Sequence, residues 1–284
     1  MTHPVQIDAH QHFWQIARGD YDWMDDSVDP IRHDILPADL APMLAHHHVS
    51  GTVLVQAAAT VAETEFMLGL AEENGFIMGV VGWVDLTDPD APATLDRLAQ
   101  SPWFKGVRPM LQDTEATDWI LQPQVMENLH ALAARGLRLD ALIQPRHLDV
   151  IAQVAAQVPE LPIVVDHCAK PVIADGADAG DAWRAGMARL AGLPNLWCKV
   201  SGLANEAGSN WSAAGLQGVV DHVVGAFGAE RVMWGSDWPV LDLVGSYAEW
   251  RAVSEALFAE LTAAQREAIY GQTAIGFYGL EVAQ

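Results

Sequence analysis

Short apolar runs rich in valine, isoleucine and leucine alternate along this chain with longer segments whose apolar residues recur at helical spacing. The runs fall at 5–9, 51–56, 77–84, 104–108, 137–142, 162–166, 196–200 and 231–235, and each predicts a strand. Between them, 62–74, 124–135, 148–158, 181–191 and 213–227 predict helices. Asn74-Gly75, Arg135-Gly136 and Phe227-Gly228 put a glycine where a left-handed cap would end a helix before the next strand. Two further helices, at 245–260 and 262–269, would complete an outer layer, and the apolar segment 274–280 would dock as a plug.

Eight strands alternating with helices point to an α/β fold with a closed parallel sheet, the (β/α)8 or TIM barrel, as a single domain over 1–284. A doubly wound sheet would need a glycine-rich phosphate loop after its first strand, and His10-Gln11-His12-Phe13-Trp14 stands there instead. At 51% apolar, with no Gly/Ser-rich or Pro-rich linker, the chain has the material for one large core.

Charge narrows the range of partners. A net charge of -22 opposes nucleic acid and anionic membrane, both of which need a basic surface. No apolar run reaches the roughly 18 residues of a membrane span, and the first residues lack the pattern of a signal peptide, so the expected location is the cytoplasm. Cys168 and Cys198 lie in apolar runs and form no CxxC pair, which reads as two reduced core thiols. Only three lysines, Lys105, Lys170 and Lys199, accompany twelve arginines, and all three stand beside strand-like runs.

In a (β/α)8 barrel the chemistry collects at the carboxyl ends of the strands. Those ends carry His10 and His12, then Gln56, then Trp83 and Asp85, then Arg108. Asp140 and Gln144 follow the fifth strand, Asp166 and His167 the sixth with Lys170 beyond, Lys199 and Ser201 the seventh, and Asp237 the eighth. Side chains alternate along a strand, so His10 and His12 share a direction and can face the mouth. His167 and Asp237 can converge on the same axis. Three imidazoles and one carboxylate can hold a single zinc ion, or can act without metal as a cluster that polarises a carbonyl. The bland readings are a core histidine for His167 and a helix cap for Asp237. His46-His47-His48 does not compete, because consecutive side chains diverge and the run reads as a polar helix end. Trp14, Tyr21, Trp23, Trp119, Trp211 and Trp238 fall in the loops after strands, where indole rings could stack on the apolar face of a sugar.

Five motifs stand in a distinctive order: Ile7-Asp8-Ala9-His10-Gln11-His12, Lys105-Gly106-Val107-Arg108-Pro109, Asp166-His167-Cys168-Ala169-Lys170-Pro171, Cys198-Lys199-Val200-Ser201-Gly202-Leu203 and Trp234-Gly235-Ser236-Asp237-Trp238-Pro239. Together they resemble the amidohydrolase superfamily, and within it the branch of sugar lactonases of the L-fuconolactonase and L-rhamnonolactonase type and of 2-pyrone-4,6-dicarboxylate lactonases. The likeness runs from His10 to Tyr278-Gly279-Leu280. It implies a carboxylic-ester hydrolase that opens a small sugar-acid lactone to the free acid. Binuclear members carry a lysine or glutamate bridge on strand four and histidines on strands five and six. Here Lys105-Gly106-Val107-Arg108 and Asp140 stand in those places, so the resemblance implies at most one metal, held by His10, His12, His167 and Asp237.

On that reading Asp237 is the general base for water, and His10, His12 and His167 stabilise the developing oxyanion with or without zinc. Arg108 and Lys170, with Trp14, Trp83 and Trp238, would bind the substrate; the resemblance places a binding arginine at Arg108. Lys105 and Lys199 read equally as substrate contacts or as ion pairs with Asp85, Asp140 or Asp166. The alternatives of the same fold are a decarboxylase of aromatic acids and a lactone isomerase. A non-enzymatic barrel would leave His10, His12, His167 and Asp237 apart.

Overall fold

Eight parallel strands pair in chain order in the computed structural model, which describes residues 4–282 and so leaves His3 outside. They are β1 (Ile7–Gln11), β2 (Gly51–Val55), β3 (Ile77–Gly82), β4 (Phe104–Val107), β5 (Arg138–Ala141), β6 (Ile163–Val165), β7 (Leu196–Val200) and β8 (Val232–Trp234). The sheet closes on itself just past the strand ends: Asp237 N–H donates to the His10 carbonyl and His12 N–H to the Trp238 carbonyl, each at 2.8 Å. The result is the (β/α)8 barrel that the alternation predicts.

The outer layer comprises α1 (Pro37–His46), α2 (Val61–Glu73), α3 (Ala91–Leu98), α4 (Pro123–Ala134), α5 (Leu148–Gln157) and α6 (Gly180–Ala191). It continues with α7 (Leu203–Ala207), α8 (Ala213–Phe227), α9 (Tyr247–Leu257) and α10 (Ala263–Glu267), while α11 (Thr273–Tyr278) turns in against the end of the barrel. The sequence pattern did not single out α1 and α3, which are short and carry Pro37, Pro42 and Pro92. Thr60, Ser212 and Ser246 cap α2, α8 and α9 by accepting the Glu63, Gly215 and Glu249 amides, each cap typically contributing about 1 kcal/mol. Of the three glycines expected to cap helices, Gly136 (φ 65) and Gly228 (φ 78) take positive φ and Gly75 does not. Asn74 closes that helix instead, its Nδ2 donating to the Leu70 carbonyl at 2.8 Å. Among the described residues, no helix is long and apolar enough to cross a membrane.

Two apolar layers hold the barrel. Outside the sheet, strand side chains such as Leu54, Val80, Leu139 and Ile163 pack against the helices. Inside it, Ile7, Ala9, Val53, Val55, Val81, Val164 and Met233 meet Ala274, Phe277, Tyr278 and Leu280 of the C-terminal segment. That segment therefore plugs the amino end of the barrel and leaves the carboxyl end for chemistry.

A bulge in β1 aims its histidines. Ile7 and Ala9 point into the barrel, so strict alternation would turn His10 toward the helices. Asp8 pairs with Thr52 but Gln11 pairs with Leu54, which leaves one extra residue on β1 between them. The extra residue turns His10 back inward, and His12 follows two positions later. Gln11 then faces outward, its Nε2 donating to Thr52 Oγ1 at 3.0 Å.

Candidate active site

Asp237, just past β8, stands at the centre of the polar cluster. Its Oδ1 lies 3.3 Å from His12 Nε2, 3.6 Å from His10 Nε2 and 3.8 Å from His167 Nε2. The structure thus brings together the four residues that the strand ends nominate. His12 Nδ1 lies 2.7 Å from the Val55 carbonyl, which can only accept, so Nδ1 carries a ring proton and Nε2 is the nitrogen that faces the carboxylate. His167 Nδ1 pairs with Ser201 Oγ at 2.9 Å.

His167 owes its position to a left-handed turn. His167, Cys168, Ala169 and Lys170 have φ of 52, 52, 60 and 48°, a conformation that costs L-residues roughly 1–2 kcal/mol each. Neighbours hold it: Trp183 Nε1 donates to the Cys168 carbonyl at 2.9 Å, and Lys170 N–H to the His167 carbonyl at 2.9 Å. The turn sets His167 and Lys170 on one face, toward the same cavity. Opposite them, Gly202 has φ 64°, and a Cβ there would sit 2.6 Å from His167 Nδ1 and 3.1 Å from Asp237 Oδ2. Only glycine satisfies both requirements.

Beneath the cluster lies a buried charge network. Lys199 Nζ reaches Asp140 Oδ2 at 2.5 Å, Asp166 Oδ1 at 3.0 Å and His10 Nδ1 at 3.1 Å. Tyr278 of the plug donates its hydroxyl to Asp140 Oδ2 at 2.7 Å. Arg108 Nη1 lies 3.6 Å from Asp166 Oδ2 and 3.4 Å from His10 Nε2. Gln56 fixes that arginine: its carbonyl accepts from Arg108 Nη2, and its Nε2 donates to the Arg108 carbonyl at 2.8 Å. Fully buried, Lys199 is an ion-pair anchor, whereas Lys105 lies at the plug end with Nζ 3.3 Å from the Gly279 carbonyl. Asp85 is exposed and accepts from the Thr87 amide at 2.9 Å, in its own turn.

Burial sets the protonation of the cluster. It drives His10 well below the usual imidazole range, helped by Lys199, and takes His167 down to about 4. Asp140 is pushed up to about 6 by burial, against the pull of Lys199. For Asp237 burial also acts upward, but the imidazoles of His167, His12 and His10 outweigh it and hold the carboxyl below the ordinary range. Near neutral pH the cluster is therefore a carboxylate among uncharged His10 and His167 rings.

A cavity of about 290 Å³ opens above the cluster, close to the lower end of the roughly 300–1,000 Å³ typical of small-molecule sites. His12, His167, Asp237 and Arg108 form its floor, while Trp14, Trp23, Met110 and Leu142 supply apolar walls. Trp14 is fully buried, its N–H donating to the His33 carbonyl at 2.9 Å, and its ring backs the cavity wall. Trp23, edge-on to it with ring centroids 5.7 Å apart, is 38% exposed. Lys170 stands at the rim, paired with Glu206 at 2.9 Å. The structure places Trp83 and Trp238 elsewhere. Trp83 does not line the cavity, and its backbone N–H donates to Thr64 Oγ1 at 2.8 Å. Trp238 is buried edge-on to Phe13, with ring centroids 6.1 Å apart. Trp211 lines a separate pocket. A larger groove of about 600 Å³ runs between Pro4–Gln6 and α9–α10, but no histidine lines it and Arg251 there is paired with Glu255.

The donor set fits a divalent cation. His10, His12 and Asp237 offer ligand atoms within 4.8 Å of one another, and so do His10, His167 and Asp166. Bonds of about 2.0–2.1 Å in tetrahedral geometry separate zinc ligands by about 3.3–3.5 Å, close to the spacings around Asp237 Oδ1. The sequence places Asp166 at the end of the sixth strand but does not nominate it as a ligand. Its approach to His10 is a matter of barrel closure, which local spacing does not record.

Fold and site together define a (β/α)8 barrel enzyme with a histidine–aspartate cluster at its mouth. The chain belongs to the amidohydrolase family, which matches it over residues 7–280. It is 42% identical to an L-fucono-1,5-lactonase of Burkholderia ambifaria over 280 residues, covering 97% of this chain and 96% of the relative. An L-fucono-1,5-lactonase of Burkholderia multivorans is 36% identical over 293 residues, covering 97% and 96%. A zinc-bound crystal structure of an amidohydrolase from Burkholderia multivorans superposes with a TM-score of 0.92 at 33% identity, covering 98% of this chain and all of that one.

Proposed function

We propose that this protein is a lactonase that hydrolyses a sugar-acid lactone of the L-fucono-1,5-lactone kind to the open acid, with the whole chain acting as one catalytic domain. The reading is carried by the 42% identity to an L-fucono-1,5-lactonase along 97% of the chain. The site's chemistry supports it. A lactone carbonyl needs a base for the attacking water and positive charge near its oxygen. Asp237, ionised and lining the cavity, takes the proton as the water oxygen bonds to the carbonyl carbon. When the ring C–O bond breaks, the same carboxyl returns that proton to the leaving alkoxide. Arg108, at the cavity floor, faces the developing oxyanion and then the product carboxylate. Trp23, with Trp14 packed behind it, offers an apolar ring to the sugar, and Lys170 offers a donor at the rim.

One zinc ion is the cofactor we propose, held by His10, His12, His167 and Asp237, and when bound it supplies Lewis-acid polarisation of the carbonyl. The cytoplasm is the proposed location, in keeping with the free thiols of Cys168 and Cys198. A panel of aldono-1,4- and 1,5-lactones, followed by indicator-dye acid release with and without chelator, tests the reading. Acid release from 6-deoxy sugar lactones that chelator abolishes and zinc restores is expected. Failure to open any lactone above the spontaneous rate, or carbon dioxide release from aromatic acids instead, contradicts it.

A further inference from the structure

His10 and His12 come from the first strand and Asp237 from just past the last, so their separation is set at the seam where β8 meets β1. Backbone bonding there is sparse. Among the described residues one bridge, Gln11 to Trp238, joins the two edges, with the two 2.8 Å bonds that flank it. Gly235 permits the approach, since a Cβ on it would sit 2.7 Å from His10 Cβ.

Asp8 lies at this seam, fully buried and outside the cavity lining. Its Oδ1 accepts from Ser236 N–H at 2.8 Å and from His10 N–H at 3.2 Å. Its Oδ2 accepts from the Tyr247 hydroxyl at 3.1 Å. One carboxylate thus ties the bulged segment of β1, the segment carrying Asp237, and helix α9. Tyr247 is itself buried, edge-on to Trp234 with ring centroids 6.0 Å apart, so the third anchor is rigid. Ser236 adds a return bond, its Oγ accepting from Trp238 N–H at 3.0 Å. The β1 bulge frees the His10 amide from the regular ladder, and Asp8 supplies the acceptor it lacks.

We infer that Asp8 is a positioning residue that sets the distance between the β1 histidines and Asp237. It touches no reacting atom; it acts through the backbone of His10 and Ser236. The requirement is for an acceptor at Oδ1. Asparagine supplies one and can donate from Nδ2 to the Tyr247 oxygen, whereas alanine supplies none.

The test compares Asp8→Asn, Asp8→Ala and Tyr247→Phe in the full chain by crystal structure and by steady-state kinetics on the lactone. In the alanine variant the Asp237 Oδ1 to His12 Nε2 separation is expected to lengthen by about 1 Å, and kcat to fall about 100-fold with KM little changed, the scale of loss that such a misplacement brings. Asparagine should restore most of kcat. If alanine prevents folding, Tyr247→Phe removes one anchor while leaving the backbone bonds, and a several-fold loss in kcat is expected. A purely structural role would lower the melting temperature without this kcat loss or its rescue. A folded alanine variant with the parental separation and kcat overturns the inference, as does an asparagine variant as impaired as alanine. The kinetic arm rests on the lactonase reading; if the parent opens no lactone, that reading fails while the measured separation still decides the role of Asp8.

Discussion

Replacing Lys199 with methionine keeps most of the length of the side chain and removes its charge from the barrel interior. The parent ammonium lies 2.5 Å from Asp140 and 3.0 Å from Asp166, all three fully buried. Breaking a buried pair by removing one partner costs about 3–5 kcal/mol, because a charge is left without compensation. Asp140, already pushed up to about 6, can take a proton and so limits the cost toward the lower figure. At roughly 2–4 °C per kcal/mol for chains somewhat shorter than this one, the melting temperature should fall by about 6–15 °C at pH 7. The pH dependence has a definite sign. Without Lys199 the native carboxyls bind protons more tightly than the unfolded chain does, so the deficit is largest at pH 7 and shrinks as pH falls toward 5. Thermal and urea unfolding of parent and variant at the two pH values measures this. A shift under about 2 °C at pH 7, or a deficit that widens at pH 5, refutes the argument that Lys199 neutralises this network.

Gly202→Ala should leave a folded chain with lactone hydrolysis reduced at least about 100-fold, because the new Cβ, 2.6 Å from His167 Nδ1, forces that imidazole to move; kinetics with a melting curve decides it, and near-parental kcat contradicts it. Glu63, buried and accepting from the Ala57 and Ala58 amides, is pushed by burial from 4.5 to about 7. Since its folded value exceeds the unfolded one, the stability it contributes is complete below pH 4.5 and is lost as pH rises to 7, about 3 kcal/mol in all. Urea unfolding of Glu63→Gln should show that part of the pH slope removed, and an unchanged slope tells against it. Trp23→Ala should raise KM about tenfold with kcat nearly unchanged, the signature of lost uniform binding, and an unaltered KM would remove Trp23 from the substrate's surroundings.

The barrel was legible because strand and helix periods are local properties, written in runs such as 51–56 and 213–227. The ends of those runs put His10, His12, His167 and Asp237 on one face of the fold before any contact was known. What the sequence did not disclose depends on distant partners. The β1 bulge exists only in the pairing of Asp8 with Thr52 and Gln11 with Leu54. The left-handed turn at His167–Lys170 contains no glycine to announce it, and packing against Trp183 sustains it. Lys199 could have faced substrate or carboxylate, and barrel closure decided for Asp140 and Asp166. Trp83 and Trp238 sit in the expected loops but do not line the cavity, since the direction of an indole is set by distant neighbours, as Phe13 does for Trp238.

The central claim is that Asp237, among three imidazoles, opens a sugar lactone. Its most direct test is the initial rate of acid release from L-fucono-1,5-lactone by the parent and by Asp237→Asn, compared at matched folded concentration. A parent rate well above spontaneous opening, falling roughly 10²- to 10⁴-fold in a variant that still folds, is the predicted result. A variant as fast as the parent, or a parent no faster than water, contradicts it.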